Sequence, residues 1–163
     1  MKRATGLPDE GRNVKPGTAR HRKVNRLMAL LGAPRATAFG VLAILWDSVG
    51  ADKEDGILRG WTADDVAGVV EWQGNAATLL DALTTARWID QAPNGTLLIH
   101  DWPEEGPRHV FQRLARTMKL TGEATDLQAR AIVRKRHDAI LQGNTAADGG
   151  RMPLTAANGC SGR

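Results

Sequence analysis

Hydrophobic positions along this chain change period twice. From Arg20 they fall at helical spacing: Val24, Leu27, Met28 and Leu31 stand at i, i+3, i+4 and i+7, and Gly32 is placed to end the helix. Pro34 suits the first turn of a second helix, in which Phe39, Val41, Leu42, Ala43, Ile44, Leu45 and Trp46 make nearly every side apolar. Such a segment is expected to be surrounded by other elements and to act as the structural hub, with Gly40 allowing close approach of another backbone. Phe39 and Trp46 read as core rather than as ligand contacts. A charged loop, Asp52-Lys53-Glu54-Asp55-Gly56, then leads to Ile57-Leu58, a pair able to form a short strand.

Two short helical patterns follow. Thr62 and Asp65 form a T-x-x-D capping box ahead of Val66, Val69 and Val70. Glu71-Trp72-Gln73-Gly74 is a turn, and Asn75 is placed to cap a helix that buries Leu79, Leu80 and Leu83. Beyond it the period shifts to two. Trp88-Ile89-Asp90 and Leu97-Leu98-Ile99 read as strands joined through Pro93-Asn94-Gly95, and Asn-Gly between apolar runs is a strong hairpin signal. Helix, tight turn, helix, hairpin is the order of a winged helix-turn-helix.

After the hairpin, Pro103 and Pro107 are expected to break the chain. Val110, Phe111, Leu114, Ala115 and Met118 then form an apolar stripe. A last helix is expected from about Asp126 to Gln142, with a weaker stripe of Ile132, Val133, Ile140 and Leu141. The fold class is therefore mainly α with a small β part (α+β): a winged helix-turn-helix with a β-hairpin wing and a C-terminal helical extension. Four segments are expected: a disordered basic arm over 1–18, the winged-helix domain over 19–105, a basic helical extension over 106–142, and a disordered tail over 143–163.

Charge sharpens this picture. The net charge is +4, yet residues 1–53 carry 10 Lys and Arg against 4 Asp and Glu, and residues 106–163 carry the same numbers. Residues 54–105 carry 2 against 10. An acidic centre is flanked by basic arms, which points to a polyanionic partner. The lone cysteine, Cys160, lies in a polar tail and fits neither an intrachain disulfide nor a zinc cluster. No apolar run approaches the ~18 residues of a membrane span, and the N-terminus lacks the apolar stretch of a signal peptide. A cytoplasmic protein is expected, without cofactor, metal or membrane contact.

Residues at 21–102 carry a family resemblance. They include His21-Arg22-Lys23, Arg26-Leu27, Leu30-Leu31-Gly32, Pro34-Arg35-Ala36, Gly40, Leu42 and Leu45-Trp46. Next come Asp55-Gly56-Ile57-Leu58, Trp61-Thr62, Asp64-Asp65-Val66-Ala67, Trp72, Leu80 and Leu83. Trp88-Ile89-Asp90 and Leu98-Ile99-His100-Asp101-Trp102 complete the set. Over residues 20–105 the chain resembles the small winged-helix proteins of phages and prophages described as replisome organisers, related to the DnaD-like N-terminal domain. Two places depart from the family's pattern. Ala86-Arg87-Trp88 stands where a glycine commonly precedes the aromatic that opens the wing, and Pro103 follows His-Asp-Trp before Glu104-Glu105-Gly106. The resemblance implies DNA-associated work in phage replication, through DNA or a replisome protein, and no catalytic residue.

Candidate chemistry follows from these patterns. In a helix-turn-helix the second helix reads base edges, and its exposed candidates are Gln73, Asn75, Thr78 and Thr85, with Arg87 at the wing junction. That helix has no cation, and Asp81 would be repelled by phosphate. Stronger candidates for DNA contact are the basic faces: Arg22, Lys23 and Arg26, then Arg113, Arg116 and Lys119, then Arg130, Arg134, Lys135 and Arg136. Such faces bind phosphates without reading bases, although a solvated surface is the plain alternative. His100-Asp101-Trp102 with His109 lacks a ligand set or nucleophile, and reads as a strand end where Trp102 packs under the wing and His100 and Asp101 satisfy backbone groups. The leading expectation is a non-enzymatic protein that binds duplex or single-stranded DNA in phage-type replication initiation. The alternatives are an interaction module that docks on a helicase loader or forms a homo-oligomer, and a transcriptional repressor.

Overall fold

The computed structural model describes residues 21–144. The arm expected at 1–18 and nearly all of the tail expected at 143–163, Cys160 included, lie outside them. Among the described residues the chain is mainly helical with one small antiparallel sheet. Helices α1 (Arg22–Leu31) and α2 (Arg35–Asp52) precede a short strand β1 (Ile57–Leu58). Helices α3 (Ala63–Val69) and α4 (Ala76–Thr85) lead to the hairpin β2 (Ile89–Gln91) and β3 (Leu97–Ile99). A single turn, α5 (Trp102–Glu105), then connects to α6 (Arg108–Thr117) and α7 (Thr125–Leu141).

Local chemistry sets most of these boundaries. Gly32 takes the left-handed conformation at φ 59°, and α1 and α2 meet there at 108°. The capping box is complete: Thr62 Oγ1 accepts from the Asp65 N–H at 3.3 Å, and Asp65 Oδ2 accepts from the Thr62 N–H at 2.7 Å. Those bonds from the Thr62 backbone and side chain hold the Asp65 carboxyl below its ordinary range. Asn75 caps α4 by accepting from the Thr78 N–H at 2.9 Å. Gly95, at φ 86°, turns the hairpin. Strand β1 pairs with β3 (Ile57 opposite Leu98), giving the order β1-β3-β2.

Three helices end on residues that rarely adopt positive φ. Glu71 after α3, Arg87 after α4 and Lys119 after α6 lie at 54°, 59° and 56°. Each closes a Schellman motif: the N–H groups of Trp72, Trp88 and Leu120 donate to the carbonyls of Ala67, Leu83 and Ala115, all at 2.9 Å. Arg87 thus occupies in αL geometry the place where the resembled family commonly has glycine.

Helix α2 is the hub, burying Leu42, Leu45, Trp46 and Val49. Trp46 meets the Trp88 ring edge-on at 5.6 Å and the Trp102 ring at 5.9 Å. It is not enclosed on every side as its composition implies, because Ile44 remains 44% exposed. Pro103 also differs from expectation. It stands in the first turn of the short helix α5 rather than only breaking the chain, since proline there forfeits no intrahelical bond.

The boundary expected at residue 105 does not coincide with a gap in the packing. Val110, Phe111, Leu114, Ala129 and Val133 share one buried cluster with Leu42, Trp46 and Leu83. On the other side of the sheet, Ile140 of α7 packs with Ile57, Ala92 and Leu98. All three residues of β3 are buried as a result, Leu98 between its neighbours and α7. The buried stripe of α7 is Ala129, Val133, His137 and Ile140, whereas Leu141, expected inside, is 38% exposed. Residues 106–142 therefore complete the core instead of forming a separable extension.

Candidate nucleic-acid interface

The thirteen candidate DNA contacts divide by what each side chain touches. Six have no acidic partner or hydrogen-bond acceptor among the described residues: Arg22, Arg26, Arg87, Lys119, Lys135 and Arg136. Arg116 bonds only to the Gln112 carbonyl of its own helix, at 3.2 Å. These seven retain their charge for an outside anion.

Three arginines of the C-terminal block already have partners within the protein, which weakens them as phosphate contacts, although Arg113 and Arg134 keep 44% and 54% of their side chains exposed. Arg113 bonds to the Glu54 carboxylate and to the Gly50 carbonyl. Arg130 donates to the carbonyls of Pro103 at 2.8 Å, Glu104 at 3.2 Å and Gly106 at 2.9 Å. Burial lowers its pKa from the ordinary value. Arg134 Nε lies 2.6 Å from Glu104 Oε1. Arg130 and Arg134 do share one track, as their i,i+4 spacing implies, but it faces the α5 turn. That turn ends on carbonyls no helix bond satisfies, and a guanidinium fork suits several of them at once.

The polar atoms of α4 are also partly spent. Asn75 Oδ1 accepts from both the Thr78 N–H and, at 3.2 Å, the Thr78 hydroxyl. The oxygens of the two nominated base readers therefore hold each other at the helix start. From residue 60 to 86 the chain has four acids, Asp64, Asp65, Glu71 and Asp81, and no Lys or Arg. The acidic segment from residue 60 to 86, which holds α3 and α4, opposes a phosphate backbone.

Charge of the right sign gathers instead where α1 meets the start of the hairpin. Lys23 Nζ donates to the Arg87 carbonyl at 3.3 Å and to Asp101 Oδ2 at 3.2 Å. It lies 5.6 Å from the Trp88 ring centroid, and Trp88 Nε1 donates to the Lys23 carbonyl at 3.4 Å. Lys23 is thus a tie between α1 and the hairpin. On the same helix Arg22 and Arg26, one turn apart, are exposed, as is Arg87 at the start of the hairpin.

The same junction explains His100. Its Nδ1 is 2.7 Å from Asp90 Oδ2 and its Nε2 is 3.1 Å from Asp101 Oδ2. Carboxylates, rather than the backbone groups expected, are the partners of this ring, and Asp101 passes the chain of contacts on to Lys23. Trp102 is fully buried and donates to the Glu54 carbonyl at 2.9 Å. Among the described residues no three His, Cys, Asp or Glu side chains are disposed to hold a metal ion, and no single helix is long and apolar enough to cross a membrane.

Sequence reasoning missed two structural groups here. His137, next to the run Arg134-Lys135-Arg136, is 6% exposed and donates from Nε2 to the Asp55 carbonyl at 2.7 Å. Its spacing from Ala129, Val133 and Ile140 was the signal, overridden by the run Arg134-Lys135-Arg136 beside it. Arg130 gave no such signal, since its acceptors are backbone carbonyls far away in sequence. Comparison with protein-family models, curated proteins and solved structures finds no match for this chain.

Proposed function

We propose that this is a non-enzymatic, cytoplasmic winged-helix protein that binds DNA in phage-type replication initiation through its phosphate backbone. The winged-helix reading is supported by the order α2-β1-α3-α4-β2-β3 and by the antiparallel arrangement β1-β3-β2. The replication role rests on the resemblance described above. The observation that carries DNA binding is that Arg22 and Arg26 on α1 and Arg87 at the start of the hairpin are exposed and without partners among the described residues, on two elements that Lys23 ties together. Arg116, Lys119, Lys135 and Arg136 add free charge on α6 and α7. Base reading by α4 has no support, because its start is engaged in capping and its surface is acidic. This argues against a sequence-specific repressor.

The test is a titration of duplex and single-stranded DNA across salt. Backbone binding should lose affinity steeply as salt rises, with a log–log slope that falls by about 1 for each phosphate contact removed. Arg22→Ala and Arg26→Ala should each show that decrement on any DNA sequence. Salt-independent binding, or slopes unchanged in both variants, would sink the proposal.

A further inference from the structure

Between α2 and the turn joining α3 to α4 lies an open groove of about 330 Å³, walled by Gly40, Val41, Ile44, Val70, Trp72 and Gly74. Two glycines shape it. A Cβ on Gly40 would meet nothing within 4 Å, so the α2 side of the groove is open for want of a side chain. A Cβ on Gly74 would fall 2.6 Å from Trp72 Nε1, so glycine there lets the indole lie against the turn as a wall. That Nε1 is sealed from solvent and has no hydrogen-bond partner. Ile44 is 44% exposed on a helix whose Leu42 and Leu45 are 2% and 0% exposed. An apolar side chain left half in water beside an apolar recess can gain from being covered.

The surroundings decide what covers it. Glu71 lines the groove itself, and the helix-turn-helix that carries it holds four acids and no cation between residues 60 and 86. Glu71 is the charged residue among those that line the groove, so a cationic partner is favoured over phosphate or an acidic peptide. We infer that the groove takes an apolar side chain from a cationic amphipathic helix of a protein partner, whose Lys or Arg one turn away meets Glu71. This surface is separate from the α1–hairpin cations, so the inference stands or falls independently of DNA binding.

The experiment uses the full chain with two synthetic helical peptides, each with Leu at every third or fourth position, one otherwise rich in Lys and one in Glu. The Lys peptide should bind with 1:1 stoichiometry and shift the amide resonances of residues 37–44 and 70–74, while the Glu peptide should not bind. Gly40→Leu fills the groove where space is open, so its melting temperature should not fall, yet its affinity for the Lys peptide should drop about tenfold or more. Glu71→Lys should weaken the complex by about fivefold. DNA affinity of Gly40→Leu should equal that of the parent chain. Overturning results are no binding of the Lys peptide at ~1 mM, equal binding of both peptides, or wild-type affinity in a folded Gly40→Leu. Concentration-dependent self-association that Gly40→Leu abolishes would assign the groove to a second copy and overturn the partner named here.

Discussion

The Arg130 guanidinium sits 4.1 Å from the centroid of the Phe111 ring while three of its hydrogen bonds reach the carbonyls around α5. One side chain of α7 therefore joins α6 and the end of the hairpin segment, and Phe111 in turn lies 6.5 Å from Trp102 in the core. A charge in this position covers an aromatic face and satisfies helix-end carbonyls at once. Replacing it by methionine keeps much of the volume but leaves those acceptors without a donor. Arg130→Met should cost about 1–3 kcal/mol. A change within the error of chemical denaturation would show that water substitutes freely.

Truncation before Thr125 is a stronger test of the same architecture. Charge alone suggests an arm that can be removed while residues 20–105 stay folded. The packing predicts the opposite, because Ala129, Val133 and Ile140 leave the core and Phe111, Ile57 and Leu98 lose their cover. Each large aliphatic side chain uncovered costs about 1.5–3 kcal/mol, against a total stability of roughly 5–15 kcal/mol for a domain. The shortened chain should lose its cooperative melt by circular dichroism. Retention of the parent melting temperature would return residues 106–142 to the status of an appendage.

Trp46 tests the hub from the other side. It is 8% exposed and contacts the rings of both Trp88, at the hairpin's start, and Trp102, at its end. Trp46→Ala should therefore cost about 3–5 kcal/mol. A loss below about 1 kcal/mol in a urea titration would mean that the cavity collapses onto other side chains and that α2 is not the hub.

How much of this was legible can be traced residue by residue. Thr62 with Asp65, Asn75, Gly32 and Asn94-Gly95 act over two to five residues, so their chemistry is written where it operates. Apolar periodicity likewise placed α2, and Ile57-Leu58 read as a short strand, though its pairing with β3 came only from the fold. The ends of α3, α4 and α6 were not legible, because Glu71, Arg87 and Lys119 take a conformation that sequence statistics reserve for glycine and asparagine. Partners of Arg113, Arg130 and His137 were hidden for a different reason: each reaches an acceptor 24 to 82 residues away. A run of cations reads as surface until the fold supplies carbonyls for it. Net charge by block was therefore a sound guide to the acidic segment of α3 and α4 and a poor one to the C-terminal helices.

His137 gives the protein a predicted pH response. Burial holds its pKa below the ordinary value of 6.5, opposed in part by its bond to the Asp55 carbonyl. Above that value the ring is neutral in both folded and unfolded chains, and its contribution to stability is intact. As pH falls below 6.5 the unfolded chain takes up a proton that the folded chain refuses, so stability declines until the folded pKa is reached. His137→Gln keeps an N–H donor for Asp55 without a titration. Its urea midpoints between about pH 7.5 and 5 should slope less than those of the parent. Parallel slopes would place the acid response elsewhere.

Arg87 separates stability from binding. It closes the Schellman motif of α4 at φ 59°, a conformation that costs a residue with a Cβ about 1 kcal/mol relative to glycine. Its carbonyl, not its side chain, receives Lys23 Nζ, so the tie between α1 and the hairpin survives any substitution that keeps the backbone. The guanidinium itself is exposed and has no partner among the described residues. Glycine at this position should therefore raise stability by about 1 kcal/mol and at the same time reduce the DNA salt slope by about 1. Alanine should lower the slope equally without the gain in stability, because its Cβ retains the strain. These two variants distinguish the roles cleanly. Were Arg87→Gly less stable than the parent, the side chain would be holding the junction together. Were it more stable with an unchanged slope, Arg87 would lie off the DNA, and the phosphate contacts would fall to Arg22 and Arg26 alone on this face.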